Sequence, residues 1–256
     1  MAAYNDMLKK FNQFKNRTIP AKDIFEIREI SKNDAYAFVR QFHYLGDAKF
    51  FCQQAFGLFY WPDNMLVGCA TFQQPQGISV LKSWFDLPNS CTDIYELGRL
   101  CMFPPLNGTN ATSFLLGGAI KQLKKAKRIR AVITLATSDR HVGSIYQVCN
   151  FTYYGLTDKK SDFYCADGRK NPRGPVRHER GVWVERPQKH RYAYILDPSL
   201  TIKLLPKQHP KKDDLVPNNC CGSSYFIEDR RFGDWYTCPV CNHDFYRIEE
   251  GDVWML

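Results

Sequence analysis

The sequence contains no apolar run long enough to cross a bilayer, which excludes a helical membrane protein. Its start, MAAYNDMLKKFNQFKNR, is basic and amphipathic but has no apolar signal-peptide core, so a cytoplasmic location is expected and export is not. No internal repeat is present. Acidic residues are in deficit: 26 Asp and Glu against 35 Lys and Arg leave a formal net charge of +9 and a pI near 9.0, a balance that favours a polyanionic partner. What remains is ordinary soluble material, 256 residues with 44% hydrophobic, 14% aromatic and 24% charged side chains. That suffices for one large domain with a small appendage, and leaves the oligomeric state open.

Ten cysteines without an export signal argue against a disulfide framework and for reduced thiols. Cys52, Cys69, Cys91, Cys101 and Cys149 stand in apolar contexts, where a free cysteine serves as a small core residue. Four others crowd the tail. There CPVCNHDFY, residues 238 to 246, reads as the second half of a zinc ribbon, and NNCCGSS as the first. Cys220, Cys221, Cys238 and Cys241 together make a closed, structural four-thiolate zinc site, which stabilises a segment too small for its own core. Because Cys220 and Cys221 are adjacent, His243 or His209 stands as an alternative to one of them.

The order of elements predicts a mixed α/β fold with one central sheet. IFEIREIS reads as a strand, and KNDAYAFVRQFHYL as a helix with Ala35, Phe38, Val39 and Phe42 on one face. FFCQQAFGLFYWP and NMLVGCATFQQP form a hairpin turning at Pro62, Asp63 and Asn64. A looser segment leads to the strand DIYELGRLCMFP. The clearest helix, TNATSFLLGGAIKQLKKAKRI, is capped by Asn110 or Thr112 and gathers lysines at its C-terminal end. RAVITLATS, TYYGLTD, GVWVERP and KHRYAYILD are further strands, with a short helix in HVGSIYQVCNF. The expected organisation is a basic extension over 1–22, a catalytic domain over 23–197, a Pro- and Lys-rich linker over 198–218 and the zinc-ribbon tail over 219–256.

Between Arg169 and Arg191 there are eight Lys and Arg against two Glu, interleaved with aromatic and turn residues. A lone basic run is commonly a solvated loop, but the aromatics raise nucleic acid above that reading. Arg173, Arg177 and Arg180 are expected on DNA phosphates, with Trp183 beside them; such binding is strongly salt-dependent.

Taken in order, FHYLG, FGLFYWPDNMLVGCATFQQP, YELGRLCM, NATSFLLGGAIKQL, TSDRHVGSIYQVCNFTYYG and KHRYAYIL resemble the Mom DNA-modification proteins of bacteriophages. The resemblance spans roughly residues 25 to 196. It implies a GNAT-like fold, whose sheet splays open after the fourth strand and whose next helix presents its N-terminal amides to the donor. It also implies the activity: placing a glycinamide-derived, methylcarbamoyl-type group on the exocyclic amine of adenine in double-stranded DNA, against restriction nucleases. One departure bears on the donor. Where GNAT acetyltransferases carry a Gln/Arg-x-x-Gly-x-Gly/Ala loop, this chain has FPPLNGTNATS, so acetyl-CoA and a glycine-derived donor both stand.

The exocyclic amine of a nucleobase is amide-like and a poor nucleophile, so attack on an acyl carbon needs a base. His43 is the expected base, with Tyr44 as acid or orienting group; Asp139 orients the base or the substrate. Tyr146 takes the place of the tyrosine that protonates the leaving group in GNAT proteins. Against this stands a core aromatic at 146 and a cap at 43. Arg99 contacts a phosphate or carboxylate, or pairs only with Glu96 or Asp139. Asn110 and Ser113 open the helix that forms an anion site, unless Asn110 is only a cap. Gly143 belongs to the motif around Tyr146, and His141 lies near the site. Reaching the amine requires extruding the base onto aromatics, for which Tyr153, Tyr154 and Trp183 are candidates. The alternatives are an acyl-CoA-dependent N-acetyltransferase acting on a protein or small amine, and a non-catalytic DNA-binding module.

Overall fold

The computed structural model describes residues 9–11, 13–14, 19–44, 50–75, 78–86, 92–126, 129–138, 142–166, 169–171, 180–211, 227–229, 235–237, 244–248 and 252–255. After a four-residue helix, α1 (Ala21–Ile24), come β1 (Phe25–Ile30), α2 (Lys32–Phe42), β2 (Gln54–Tyr60), β3 (Met65–Gln73), α3 (Ile78–Trp84), β4 (Ile94–Met102), α4 (Ala111–Ala126), β5 (Ala131–Thr137) and α5 (Ser144–Val148). Then follow β6 (Thr152–Leu156), β7 (Lys160–Cys165), β8 (Lys170–Asn171), β9 (Gly181–Arg186) and β10 (Lys189–Ile195). In the tail, β11 (Ile227–Asp229), β12 (Trp235–Thr237), β13 (Asp244–Ile248) and β14 (Asp252–Met255) form an antiparallel meander.

Seven strands form the central sheet in the order β1-β2-β3-β4-β5-β10-β6. All neighbours are antiparallel except β4 and β5. The hairpin between β2 and β3 turns through Trp61–Asp63 and a left-handed Asn64, a conformation asparagine tolerates. The α4 helix covers one face, burying Ala111, Leu115, Leu116, Ala119, Ile120 and Leu123 against β-strand residues such as Phe56, Leu58, Val67 and Phe72. Fully burying a side chain of this size is worth about 1.5–3 kcal/mol.

The opposite face is covered in two patches. On α2, Ala35, Phe38 and Val39 pack over Ala55, Cys69 and Cys101. On α3, Leu81 and Trp84 pack with Phe85 over Ile94, Ala131, Ile133, Tyr154 and Ala193. Next to Cys69 on this face, β3 also carries the buried polar residues Thr71 and Gln73.

Four features depart from the sequence reading. Helix α3 and strand β7 occupy stretches for which no element was expected. GVWVERP does form a strand, but in a second, three-stranded sheet of order β8-β7-β9, an arm inserted between β6 and β10, which pair with each other. Residues at the start of the expected linker are packed rather than loose. Leu200 is buried, Ile202 bridges to Phe85, and the Lys207 amide donates to the Tyr153 carbonyl at 2.8 Å. Their apolar side chains cover the α3 patch, which lysines and prolines nearby in sequence obscure. Finally, Thr112 lies inside α4; the Ala111 amide instead donates to the Thr109 hydroxyl at 3.2 Å, and the Phe114 amide to the Asn110 carbonyl at 2.9 Å.

Candidate active site at the parting of two strands

Strands β4 and β5 pair in parallel at Ile94↔Ala131, Tyr95↔Val132 and Glu96↔Ile133, and no further. Beyond that point both continue without each other, β4 to Met102 and β5 to Thr137. The cause is local. Across from β3, Arg99 faces Thr71 and Leu97 faces Phe72, so Gly98 is an extra residue in β4. A bulge of this kind bends its strand and raises its twist, swinging β4 away from β5. It also resets the alternation: Tyr95, Leu97, Leu100 and Met102 face the α4 side, while Cys101 joins the α2 patch. At the first unpaired position the Thr134 hydroxyl donates to the Leu97 carbonyl at 3.4 Å.

Three side chains, Tyr146, Arg99 and Tyr44, share one electrostatic neighbourhood beside this opening, and His43 stacks on Tyr44. Tyr146 comes from α5, whose start is set by Gly143 in the left-handed region at φ +68. A Cβ there would lie 2.5 Å from Tyr192 Cε2, so only glycine fits. The Tyr146 ring packs between Phe151 and Tyr192 at centroid distances of 5.7 and 5.3 Å, and its hydroxyl bonds to Thr134. Burial pushes the phenol's ionisation up, partly opposed by that bond; Tyr44 pushes it further. Tyr146 therefore stays a neutral phenol throughout the physiological range.

Arg99 projects from β4 just past the bulge. Its Nη1 donates to the Gly98 carbonyl at 2.8 Å and its guanidinium carbon lies 5.1 Å from the Phe50 ring centre. Burial lowers its ionisation from the usual arginine value, while Tyr44 and Glu96 work the other way. Its Nε is buried without a hydrogen-bond partner.

Helix α2 delivers the remaining two. Ser31 caps its start, accepting from the Asp34 amide at 3.1 Å, and the helix ends at Phe42, with His43 as an extended C-cap. The His43 amide donates to the Val39 carbonyl at 2.9 Å. The His43 and Tyr44 rings stack at 4.4 Å, 27° apart. Tyr44 is near enough to both Arg99 and Tyr146 to act on their ionisation. Residues 44, 99 and 146, from three distant parts of the chain, thus share one electrostatic neighbourhood.

Ser113 lies in the first turn of α4, its hydroxyl donating to the Asn110 carbonyl at 2.9 Å, and its own carbonyl accepts from Cys149 Sγ at 3.8 Å. Burial raises the Cys149 thiol to about 11, so it stays protonated. Arg180 and Trp183 stand on the arm: Arg180 is exposed and Trp183 is 59% exposed, its ring edge-on to Phe163 at 5.4 Å. The arm is tied by buried Asp162, which bonds Lys170 Nζ at 2.7 Å and lies 3.8 Å from Arg186.

Tyr153 and Tyr154, read from sequence as surfaces for an extruded base, are instead core residues, 7% and 4% exposed. Tyr153 bonds His190 Nδ1 at 2.9 Å and packs on Tyr192; its strand position within the sheet, not its aromaticity, decides this. His209 stacks on the rings of Tyr153 and Tyr192. Asp139, His141, Arg173, Arg177, His243 and the tail cysteines Cys220, Cys221, Cys238 and Cys241 lie outside the described residues. No cluster of His, Cys, Asp or Glu suited to a metal ion occurs among the described residues.

The sequence reading passed over Gln73 and Thr134 and took Glu96 only as an ion-pair partner for Arg99, yet all three stand at or beside the last paired positions of β4 and β5. Desolvation raises the Glu96 carboxyl, against Lys189, a hydrogen bond from Gln73, and Arg99. The one sequence signal for this cluster was the apolar alternation of IYELGRLCM breaking at Gly98.

A central sheet flanked by helices and parted after its fourth strand is the mixed α/β architecture expected from the order of elements. The chain matches the model of the Mom protein family over residues 24–211, well over half its length, and belongs to that family. No curated protein matches it. Similar solved structures include the ribosomal-protein-S18-alanine N-acetyltransferase of Escherichia coli, at 13% identity, covering 69% of this chain and 96% of that one, with a TM-score of 0.43. The spermidine/spermine N-acetyltransferase SpeG of Vibrio cholerae, in complex with manganese ions, is 8% identical, with 69% and 95% covered and a TM-score of 0.43. A GNAT-family acetyltransferase of Streptococcus pneumoniae is 14% identical, with 67% and 99% covered and a TM-score of 0.43.

Proposed function

We propose that this protein is an N-acyltransferase that places a glycinamide-derived, acyl-type group on the exocyclic amine of adenine in double-stranded DNA, masking the base from restriction nucleases. The observation that carries this reading is the convergence of Tyr44, Arg99 and Tyr146 at the parting of β4 and β5, in a chain of the Mom family. The amine nitrogen attacks the carbonyl carbon of the donor, the new N–C bond forms, and the bond to the leaving group breaks. His43 takes the proton lost by the amine, with Tyr44 and Asp139 orienting it, and Tyr146 protonates the leaving group. Arg99, with Asn110 and Ser113 at the start of α4, holds the anionic part of the donor, whether acetyl-CoA or a glycine-derived molecule.

The arm grips DNA. Arg173, Arg177 and Arg180 neutralise phosphates, and Trp183 lies against the strand from which the base has been turned out. Cys220, Cys221, Cys238 and Cys241 hold a structural zinc ion in the tail. Phage DNA in the cytoplasm of a host cell is the setting in which masking of this kind protects.

The test is nucleoside digestion and mass spectrometry of DNA from cells producing the protein. A modified deoxyadenosine is expected with wild type and absent with His43→Ala. Unmodified DNA, with a preparation that acylates small amines from acetyl-CoA, refutes the DNA reading.

A further inference from the structure

Helix α5 spans only Ser144–Val148, too few residues to hold a helix by its own hydrogen bonds in water. Its N-cap, Gly143, supplies no side-chain cap, and Val148 is 69% exposed. Yet this helix carries Tyr146, whose hydroxyl bonds to Thr134 on β5. Ile145, Tyr146 and Cys149 give it apolar contact with the core. Gln147 gives it polar ties. Its Nε2 donates toward the Val142 carbonyl at 3.0 Å, the Pro210 carbonyl at 3.2 Å and the Tyr192 hydroxyl at 3.4 Å. A primary amide has two N–H groups, so one of them is shared between neighbouring oxygens. The three acceptors come from separate pieces of chain: the turn before α5, the fully buried ring on β10, and the segment that follows β10.

That segment is a strap. It begins on the α3 face, where Leu200 is buried with Trp84 and Tyr154 and the Lys203 amide donates to the Trp84 carbonyl at 2.8 Å. The Lys207 amide then donates to the Tyr153 carbonyl on β6, the last strand of the central sheet. His209 lays its ring over Tyr153 and Tyr192, which belong to the α4 face. The strap thus passes round the edge of the sheet from one face to the other, and Gln147 fastens its end. Tyr192 joins the parts. Its ring packs on Tyr146 at 5.3 Å and on His209 at 6.1 Å, and its hydroxyl donates to the Val142 carbonyl while accepting from Gln147. Burial pushes this phenol up to about 12, so it keeps the proton it donates.

We propose, on the reading of Tyr146 as the leaving-group acid, that Gln147 is a positioning residue: by clasping Val142, Tyr192 and the strap at Pro210, it holds the Tyr146 hydroxyl at Thr134. A proton donor works only within hydrogen-bond reach of the group it serves, and a displacement of about 1 Å costs up to about a hundredfold in rate. Apolar contact alone leaves a five-residue helix free to slide or turn. Hydrogen bonds to a turn, a ring and a strap fix it in three directions. The strap is therefore part of the site's scaffold, although it lies more than fifty residues along the chain from Tyr146.

The test uses two variants of the full-length protein. Gln147→Met keeps the side chain's length and removes both N–H donors; the Val142 carbonyl keeps its bond from Tyr192. Tyr192→Phe keeps the ring against Tyr146 and removes only the shared hydroxyl. The first readout is the titration of the Tyr146 phenol by NMR of ring-labelled tyrosine, its signal identified by its loss in Tyr146→Phe. In wild type burial holds this ionisation above 10.0, opposed by the Thr134 bond and aided by Tyr44 and Cys149. In Gln147→Met water reaches the phenol and the titration is expected to fall toward 10.0, with a smaller fall in Tyr192→Phe. The second readout is turnover against binding. In Gln147→Met modified deoxyadenosine is expected to accumulate in cells about tenfold or more slowly, while affinity for duplex DNA by fluorescence anisotropy stays at the wild-type value. An unshifted Tyr146 titration in Gln147→Met, or accumulation within about threefold of wild type, overturns the proposal. Where Gln147→Met does not fold, the same two limits apply to Tyr192→Phe. If wild type modifies no deoxyadenosine, the adenine reading falls and the titration alone decides the clasp; if both variants match an active wild type, the reading stands and the clasp falls.

Discussion

Tyr146→Phe removes one oxygen from the parted strands and leaves the packing against Phe151 and Tyr192 in place. Two costs follow, of different size. Folding loses the hydrogen bond to Thr134, worth about 0.5–1.5 kcal/mol; Thr134 keeps its bond to the Leu97 carbonyl, so no new orphan is created. Against a total stability of about 5–15 kcal/mol this leaves the variant folded. Catalysis loses the leaving-group acid, worth about 10²- to 10⁴-fold, or roughly 2.7–5.4 kcal/mol of barrier at 1.36 kcal/mol per tenfold. Because burial pushes the phenol's ionisation above its ordinary value of 10.0, wild type keeps this proton through the weakly alkaline range. The variant should therefore be slower by a similar factor across that range. The assay is the rate at which modified deoxyadenosine accumulates after induction, read by mass spectrometry, with circular dichroism confirming the fold. A folded Tyr146→Phe protein working within about threefold of wild type, far below the loss of an acid, refutes the assignment and leaves the ring as packing.

Two further outcomes are expected. Gly143→Ala places a methyl 2.5 Å from Tyr192 at φ +68, combining about 1–2 kcal/mol of left-handed strain with about 1–3 kcal/mol of overpacking. At about 2–4 °C per kcal/mol for a chain of this size, a melting temperature lower by roughly 4–20 °C is expected. Asp162 has its carboxyl held below the usual value, first by the Lys170 hydrogen bond and also by the charges of Lys170 and Arg186. Folded, it releases its proton more readily than unfolded, so its contribution to the arm is present above the ordinary carboxylate value and lost as pH falls through the depressed one. Amide exchange in β7 and β9 is expected to quicken in Asp162→Asn at neutral pH, and the wild-type arm to approach that behaviour on acidification; equal exchange in the two proteins at neutral pH contradicts this.

Most of the central sheet was legible because its strands carry strong local patterns. The hairpin of β2 and β3, the helix opening after Asn110 and the strand Ala131–Thr137 all follow from periodicity, turn chemistry and charge at helix ends. His43 and Tyr44 stood out for a similar local reason: two titratable rings where an amphipathic helix stops. The misses have one origin. Tyr153 and Tyr154 have side chains suited to stacking on a base, and only the strands on either side, with Trp84 packed edge-on to Tyr154, remove them from solvent. Likewise Leu200 and Ile202 sit among lysines and prolines, and their burial depends on the α3 patch they cover.

By itself, the amino-acid sequence determined the basic charge, the amphipathic α2 and α4, the apolar strands and the family motifs, since each is a property of residues near one another along the chain. Tertiary structure alone decided that β4 and β5 part after Glu96 and Ile133, that Tyr44, Arg99 and Tyr146 share one electrostatic neighbourhood, and that Gln73 and Thr71 keep buried oxygens without partners. Those features depend on strand register and on a bulge. A single extra residue reverses which way the following side chains point, and pattern along one strand does not reveal what its partner across the sheet contributes.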